Sequence, residues 1–560
     1  MTADIAVSAP APDKDDAFET LKQLREHAKT RVGEPPKVCV IGGGIAGLVA
    51  AYELSQAGDR VTLLEGSSRW GGRLETASFN GARAELGAMR IPRSHLYTLH
   101  YVEDVCGIEV RPFVSENRLL VLGDHRETFD RLRTGSVGTP FQVFTHPARG
   151  SARQTGDPFV MLDSLIQPLV EQFDDEDWRA SFGVDDVQNS QIALQADSIS
   201  VWQYMSGTLR LPGPIPGAWR SAPRLPRPDW EYVGRTTGHL WMEKASLLQW
   251  AVDGPRAISG GKVEPVSGMT GVIEALVALL EEDGRTRLLP NAKAVQVLSS
   301  AEDVMRVVWE GGGDSFEFVI CATPAPAAAA ITFHPPLARE VRAALTNLSY
   351  IPMAKAVAHC STRRWELVDG FFGGGSYTDH PNQQVWYPSD NAKPASPQPT
   401  DLNDEPYTNM MSADLYGDYL PDEGPWVAKN DDVSASDGVL TAAYVWGSNA
   451  RRFIAMTDAE REGVIRSNLE VMHPGISDDI QEIRYATFGG SDLGGGAFAY
   501  FGPGEQSRYQ ALLTRPHPHD ARTPRVFFAG EHLLPMHGWM QTSIQTALSA
   551  VVRILSSPLR

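Results

Sequence analysis

Four β-prone residues, Val38 to Ile41, run into Gly42, Gly43 and Gly44, and the chain passes at once into the Ala- and Leu-rich stretch from Ile45 to Ala57, which ends at Gly58. A second apolar run, Val61 to Leu64, closes on Glu65. A strand, a glycine turn, a helix and a second strand ending in an acid constrain this region to a parallel β-α-β unit. The start of such a helix presents unpaired N–H groups and a positive dipole end, which suit a pyrophosphate. Gly44 has no Cβ to block that approach, Gly47 lets helix and strand pack closely, and Ile45 and Ala46 lie in the first helical turn. Glu65 stands where a carboxylate accepts both ribose hydroxyls of an adenosine and repels a 2′-phosphate, which argues against NADP. A GxGxxG turn alone is weak evidence; with strand, helix and acid at these offsets it predicts a bound dinucleotide.

The 560-residue length exceeds one hydrophobic core, so two or three domains are expected, and an apolar fraction of 42% can fill them. No apolar run reaches the roughly eighteen residues of a membrane span, and the N-terminus lacks the basic and hydrophobic regions of a signal peptide. A soluble, cytoplasmic chain without membrane contact is the expectation. Cys39, Cys106, Cys321 and Cys360 form no CxxC pair, which predicts buried thiols in a reducing compartment and no metal site. A net charge of −19 argues against nucleic acid as a partner.

Directly after Glu65 come Arg69, Trp70, Gly71, Gly72 and Arg73; near the other end stand Phe528, Ala529, Gly530, Glu531 and His532, followed by Gly538, Trp539 and Met540. With these motifs in this order, the chain from Lys37 to Ile554 resembles the flavin amine oxidase superfamily. The resemblance implies FAD, with Gly71, Gly72, Arg73, Ala294, Gly530 and Glu531 added to the first glycine motif, and Gly538, Trp539 and Met540 near the flavin ring. Glu85, Leu86, Gly87, Ala88, Met89, Arg90, Ile91 and Pro92 resemble the L-amino acid oxidase branch, which lays Gly87 to Arg90 under the flavin and turns Arg90 to the substrate. The physical need is a planar, permanently charged fork that meets an α-carboxylate with two parallel hydrogen bonds.

Tyr444 and Trp446 alternate with Val445 and so share one strand face. By resemblance, Tyr444 gives its hydroxyl to the same carboxylate, Trp446 borders the side-chain pocket, and Trp539 walls the cage over the flavin. Alternating aromatics are also a common core pattern. Lys355, amid apolar strand residues, resembles a lysine that holds a water against flavin N5; its bland alternative is a lysine snorkelling from a strand edge. Asp492, in a glycine-rich loop, either pairs with a cationic side chain such as arginine or caps a turn. His532 and His537 receive no role. No cysteine follows Cys360, so a C-terminal thioether to FAD is impossible and non-covalent FAD is expected. The implied reaction is oxidation of an L-amino acid by dioxygen to a 2-oxo acid, ammonia and hydrogen peroxide. Oxidative decarboxylation by a 2-monooxygenase and oxidation of a simple amine are the alternatives.

The expected architecture is α/β (α+β): a Rossmann-like FAD domain from residues 37–100, 261–330 and 486–560, a mixed-sheet substrate domain from 101–156 and 331–485, and a helical subdomain over 157–260. Residues 1–36 form an extension with a helix from Phe18 to His27. A three-stranded meander covers Asn291 to Val297, Met305 to Trp309 and Phe316 to Pro324, and a closing helix runs from Ser543 to Leu555. The Pro-rich stretch from Leu211 to Pro228 reads as extended loop, and Pro388 to Asp437 as a structureless excursion of the kind that makes oligomer contacts. A homo-oligomer, dimer or higher, is expected.

Overall fold

The computed structural model describes residues 14–30, 33–148, 151–173, 177, 187–209, 217–221, 224–253, 261–300, 304–395, 425–489, 494–518 and 524–559. A five-stranded parallel sheet runs in the order Thr286–Leu289, Arg60–Leu64, Lys37–Ile41, Phe318–Cys321 and Val526–Phe528. Its central strands are apolar because both faces are covered. Val38, Val40, Val61 and Leu63 pack against the helices Ile45–Gln56, Gly268–Asp283 and Met540–Leu555. Cys39, Ile41 and Leu64 face a second layer built on Val297, Val307 and Phe316.

The expected meander exists, but its third strand is Gly312–Phe316, paired with Met305–Trp309 in a separate four-stranded sheet. After Glu317 the chain crosses into the parallel sheet as Phe318–Cys321, so one segment read as a single strand serves two sheets. The N-terminal helix is longer than expected, Lys14–Lys29, and buries Leu21 and Ala28 in the nucleotide-side core. The closing helix starts at Met540.

The second large sheet has seven strands in the order Ile480–Phe488, Met353–Cys360, Gly438–Trp446, Gln384–Tyr387, Gly374–Thr378, Asn117–Leu122 and His125–Thr128. It is antiparallel except where Gly374–Thr378 runs parallel to Asn117–Leu122. A small antiparallel sheet places Lys262–Pro265 between Ile91–Pro92 and Val110–Phe113. The helices Pro158–Val170, Gln191–Asp197, Arg227–Thr236 and Leu247–Asp253 share their own core around Leu165, Ala196, Trp230 and Leu248.

Two loop expectations are corrected. Within the Pro-rich stretch, Gly217–Ser221 is helical, and Pro228 lies in the first turn of the helix Arg227–Thr236, where its missing N–H has no intrahelical partner to lose. The ends of the 388–437 excursion are also ordered: Ala392–Pro394 pairs antiparallel with Trp426–Ala428, and Asp431–Ser434 is helical. Arg363 holds that base through two 2.7 Å bonds to the Asp390 carboxylate. Residues 396–424 lie outside the described residues. Among the described residues no helix is long and apolar enough to cross a membrane, and no cluster of His, Cys, Asp and Glu could hold a metal ion.

Candidate active site

The glycines after Lys37–Ile41 have separate jobs. A Cβ on Gly47 would lie 1.8 Å from the Gly42 carbonyl oxygen, and one on Gly42, whose φ is +111°, would lie 2.6 Å from the Ala322 oxygen. These two let helix and strands approach. A Cβ on Gly44 meets nothing within 4 Å, so this position opens onto free space in front of the helix Ile45–Gln56. The Gly71 N–H donates to the Gly43 oxygen at 2.8 Å, and Gly72, at φ +57°, lies close to Gly44. Both glycine motifs thus wall one backbone cradle at a helix N-terminus. The Glu65 carboxylate accepts from the Gly43 N–H and from the Ser67 N–H and hydroxyl, each at 2.8 Å, leaving about one of its four lone-pair sites for a ribose hydroxyl. The Ala292 N–H donates to the Glu65 carbonyl at 2.7 Å, which brings the Ala294 segment beside the same acid.

Arg73 and Glu531, 458 residues apart, join at 2.7 Å, and Arg73 also donates to the Ala497 oxygen. Burial alone would push the Glu531 carboxyl up, yet the Arg73 guanidinium and the nearby imidazoles leave it below the ordinary carboxylate value. The Gly538 N–H donates to the Glu531 carboxylate at 3.2 Å, tying the C-terminal motif to the same point. His532 and His537, unassigned from sequence, are both buried, and neither ring nitrogen of either has a partner among the described residues. Burial pushes each imidazole down to about 4, so both are neutral near pH 7. Trp539 packs edge-on against His95 at 5.0 Å and, among the described residues, makes no ring contact with Tyr444 or Trp446. Its neighbour Gly538 instead abuts Phe498, whose ring lies 5.4 Å from that of Trp446.

The large sheet supplies the other wall. Lys355 and Tyr444 are cross-strand partners. Lys355 is fully buried, with Nζ donating to the Gly87 oxygen at 2.7 Å, reaching Met89 Sδ at 3.5 Å and lying 4.6 Å from the Tyr444 ring centre. Burial holds its ammonium below the ordinary lysine value, Glu85 opposes that shift and Arg90 adds to it. A Cβ on Gly87 would lie 2.0 Å from the Arg73 oxygen, and the Ala88 N–H donates to that oxygen, so this loop is pressed against the cradle.

The Arg90 guanidinium lies over the Trp386 ring at 4.9 Å and the Phe113 ring at 5.8 Å, and has no carboxylate partner among the described residues. The Tyr444 and Trp446 rings are 4.6 Å apart, on one strand face as alternation requires. Burial pushes the Tyr444 hydroxyl up to about 12, so it stays a neutral donor. Phe498 closes the glycine-rich segment from Gly489 that was expected to border the side-chain pocket with Trp446. Trp386, Phe113 and Lys262 were not legible as site residues, because each stands in an ordinary strand pattern and only pairing across strands brings it here. Asp492 lies outside the described residues.

Residues 45–555 match the family model described as flavin containing amine oxidoreductase. The chain belongs to that family. The L-amino-acid oxidase of Vipera ammodytes ammodytes is 25% identical to this family member over 551 residues, 95% of each chain. That of Siganus canaliculatus is 24% identical over 97% of this chain and 89% of its own. Cyclohexylamine oxidase from Brevibacterium oxydans IH-35A has a similar fold, with a TM-score of 0.64 and 18% identity over 93% of this chain and 99% of its own. Putrescine oxidase is similar at a TM-score of 0.62 and 18% identity, over the same shares. The mixed α/β class expected from sequence is therefore the fold of this family.

The family carries a flavin, and the residues present fit one. A cradle of backbone N–H groups opens at Gly44, and four imidazole nitrogens without a partner among the described residues lie buried beside Glu531. Lys262, also near Arg90, has its ammonium pushed down to about 7 by burial and then by Arg90. An unfolded lysine keeps its proton to about pH 10.4, so Lys262 weakens the fold fully below pH 7, less through the window above it, and not at all above the unfolded value. Lys262→Met is expected to raise the melting temperature at pH 7 and to lose that advantage by about pH 10, read from thermal melts across pH. An equal gain at both pH values would show that charge burial is not the cause.

Proposed function

We propose that this flavoprotein is an FAD-dependent L-amino acid oxidase, converting an L-amino acid, dioxygen and water to a 2-oxo acid, ammonia and hydrogen peroxide. The observation that carries the reading is Arg90: a planar fork set on Trp386 and Phe113 with no carboxylate of its own among the described residues. A substrate without a carboxylate would leave that charge stranded, at a cost the fold has no evident reason to bear. The names of the full-length relatives agree with this reading.

In this reading Gly42, Gly44, Ile45, Ala46 and Gly47 hold the pyrophosphate, Glu65 the ribose, and Gly71, Gly72, Arg73, Ala294, Gly530 and Glu531 the rest of a non-covalent FAD. Gly87 to Arg90 and Gly538 to Met540 border the ring. The bound flavin supplies a two-electron acceptor for the hydride on Cα, reoxidised by dioxygen. Arg90 and Tyr444 fix the α-carboxylate, which orients Cα, and Trp446 borders the side chain. Lys355 Nζ, two of whose three donor positions go to Gly87 and Met89, keeps the third for a water.

An anaerobic screen of the common L-amino acids and simple amines tests this, read as loss of the oxidised flavin absorbance. Bleaching by an L-amino acid, with peroxide and 2-oxo acid formed in air, is the expected result. Carbon dioxide and an amide would replace the reading with a 2-monooxygenase. Bleaching by carboxylate-free amines alone would refute it.

A further inference from the structure

Arg90 shares one face of the small antiparallel sheet with a second cation. In the small antiparallel sheet Lys262 stands opposite Pro92 and Phe113, and Val263 opposite Ile91 and Pro112. Val263 and Ile91 are buried in the nucleotide-side core, so alternation turns Lys262 and Phe113 to the other face. Arg90, two residues before Pro92, is a diagonal neighbour of Lys262 on that face, within reach of two long side chains. Phe113, the ring under Arg90, packs with Met89, Tyr377, Trp386 and Tyr444.

No anion on these elements answers the two cations. Glu264, next on the same face as Lys262, is taken by Arg111 at 2.7 Å. Glu85, whose carboxylate favours the charged form of Lys355, is bonded to the Met269 N–H and the Thr76 hydroxyl. Tyr377 and Tyr444 are neutral, as burial raises both hydroxyls. His239 is neutral as well, and its Nδ1 is shut off from solvent with no partner among the described residues. The Lys262 ammonium has no hydrogen bond or ion pair among the described residues, while Glu85 favours the charged form of Lys355. Arg90 and Lys262 remain, two cationic groups where the α-carboxylate of a substrate answers one, and a second carboxylate beside Lys262 would hold its ammonium in the charged form.

We propose that the substrate is an acidic L-amino acid, glutamate or aspartate, with its side-chain carboxylate on Lys262 and its α-carboxylate on Arg90. This rests on the oxidase reading above. A cationic side chain, the choice left open by Asp492, would instead add a third positive charge beside two unanswered ones.

The test compares L-glutamate with L-glutamine, and L-aspartate with L-asparagine, on the flavin-loaded protein, with L-leucine and L-arginine alongside. The wild type is expected to favour the acid over its amide in kcat/KM by on the order of a hundredfold. Lys262→Met should bring that ratio to about one or below, and Lys262→Arg should keep most of it. The unreactive dicarboxylate glutarate, at equal concentration, should raise the melting temperature of the wild type more than that of Lys262→Met, which needs no turnover. An unchanged acid-to-amide ratio in Lys262→Met would mean that Lys262 serves the α-carboxylate or the fold, and overturns the proposal. Bleaching by leucine or arginine in preference to both acids overturns the acidic class and leaves the oxidase standing. No bleaching by any amino acid overturns both.

Discussion

Arg90→Ala is expected to lower kcat/KM for the amino acid substrate by about a hundredfold to ten-thousandfold, chiefly through KM. Hydrogen bonds to a charged group are worth about 1.5–3 kcal/mol each, and the fork makes two to one carboxylate. With tenfold per about 1.4 kcal/mol, removing both gives that range. The flavin should stay bound, since the truncation spares the backbone from Gly87 to Met89. Thermal stability should change little, because the guanidinium has no anionic partner among the described residues to lose, and loss of its stacking on Trp386 and Phe113 is set against relief of its unanswered charge. Arg90→Lys keeps the charge but not the planar fork or its stacking on Trp386, and should recover only part of the loss. Steady-state kinetics, the ratio of flavin to protein absorbance and a thermal melt read the three consequences together. A KM within a few-fold of wild type would remove Arg90 from the site.

Gly47→Ala and Gly44→Ala should fail in different ways. The added Cβ at Gly47 lands 1.8 Å from the Gly42 oxygen, a backbone atom. Relief requires the helix Ile45–Gln56 to lift from the strand Lys37–Ile41, which is central in the five-stranded sheet. Overpacking of this kind costs about 1–3 kcal/mol or more, so little flavin-loaded protein should accumulate. Gly44 has φ −78° and nothing within 4 Å of its would-be Cβ. Gly44→Ala should therefore fold with a near-normal apoprotein melt and bind FAD weakly, because the methyl fills the space meant for a phosphate. Titration of the apoprotein with FAD decides; wild-type affinity in Gly44→Ala would place the pyrophosphate elsewhere.

The contrast between these glycines marks how far the sequence could be read. Gly42, Gly44, Gly47 and Glu65 were legible because strand, turn, helix and acid lie within a short span, where chain geometry leaves few arrangements. Arg73 and Glu531 were legible as two motifs, but not as an ion pair, since nothing local relates positions 458 residues apart. The Phe316 to Pro324 segment misled because its apolar run hides a change of sheet at Glu317, and the Pro-rich stretch misled because Pro228 suits a first helical turn.

By itself the sequence determined the nucleotide-binding unit, the mixed α/β class and the identity of Arg90, Lys355 and Tyr444 as residues to watch. Tertiary structure alone decided that Lys355 and Tyr444 are cross-strand partners, that Trp386 and Phe113 carry the Arg90 guanidinium, and that Lys262 stands diagonal to it. The physical reason is the register between strands from distant parts of the chain. Periodicity fixes which face a side chain takes, but only the pairing of strands fixes what it meets there.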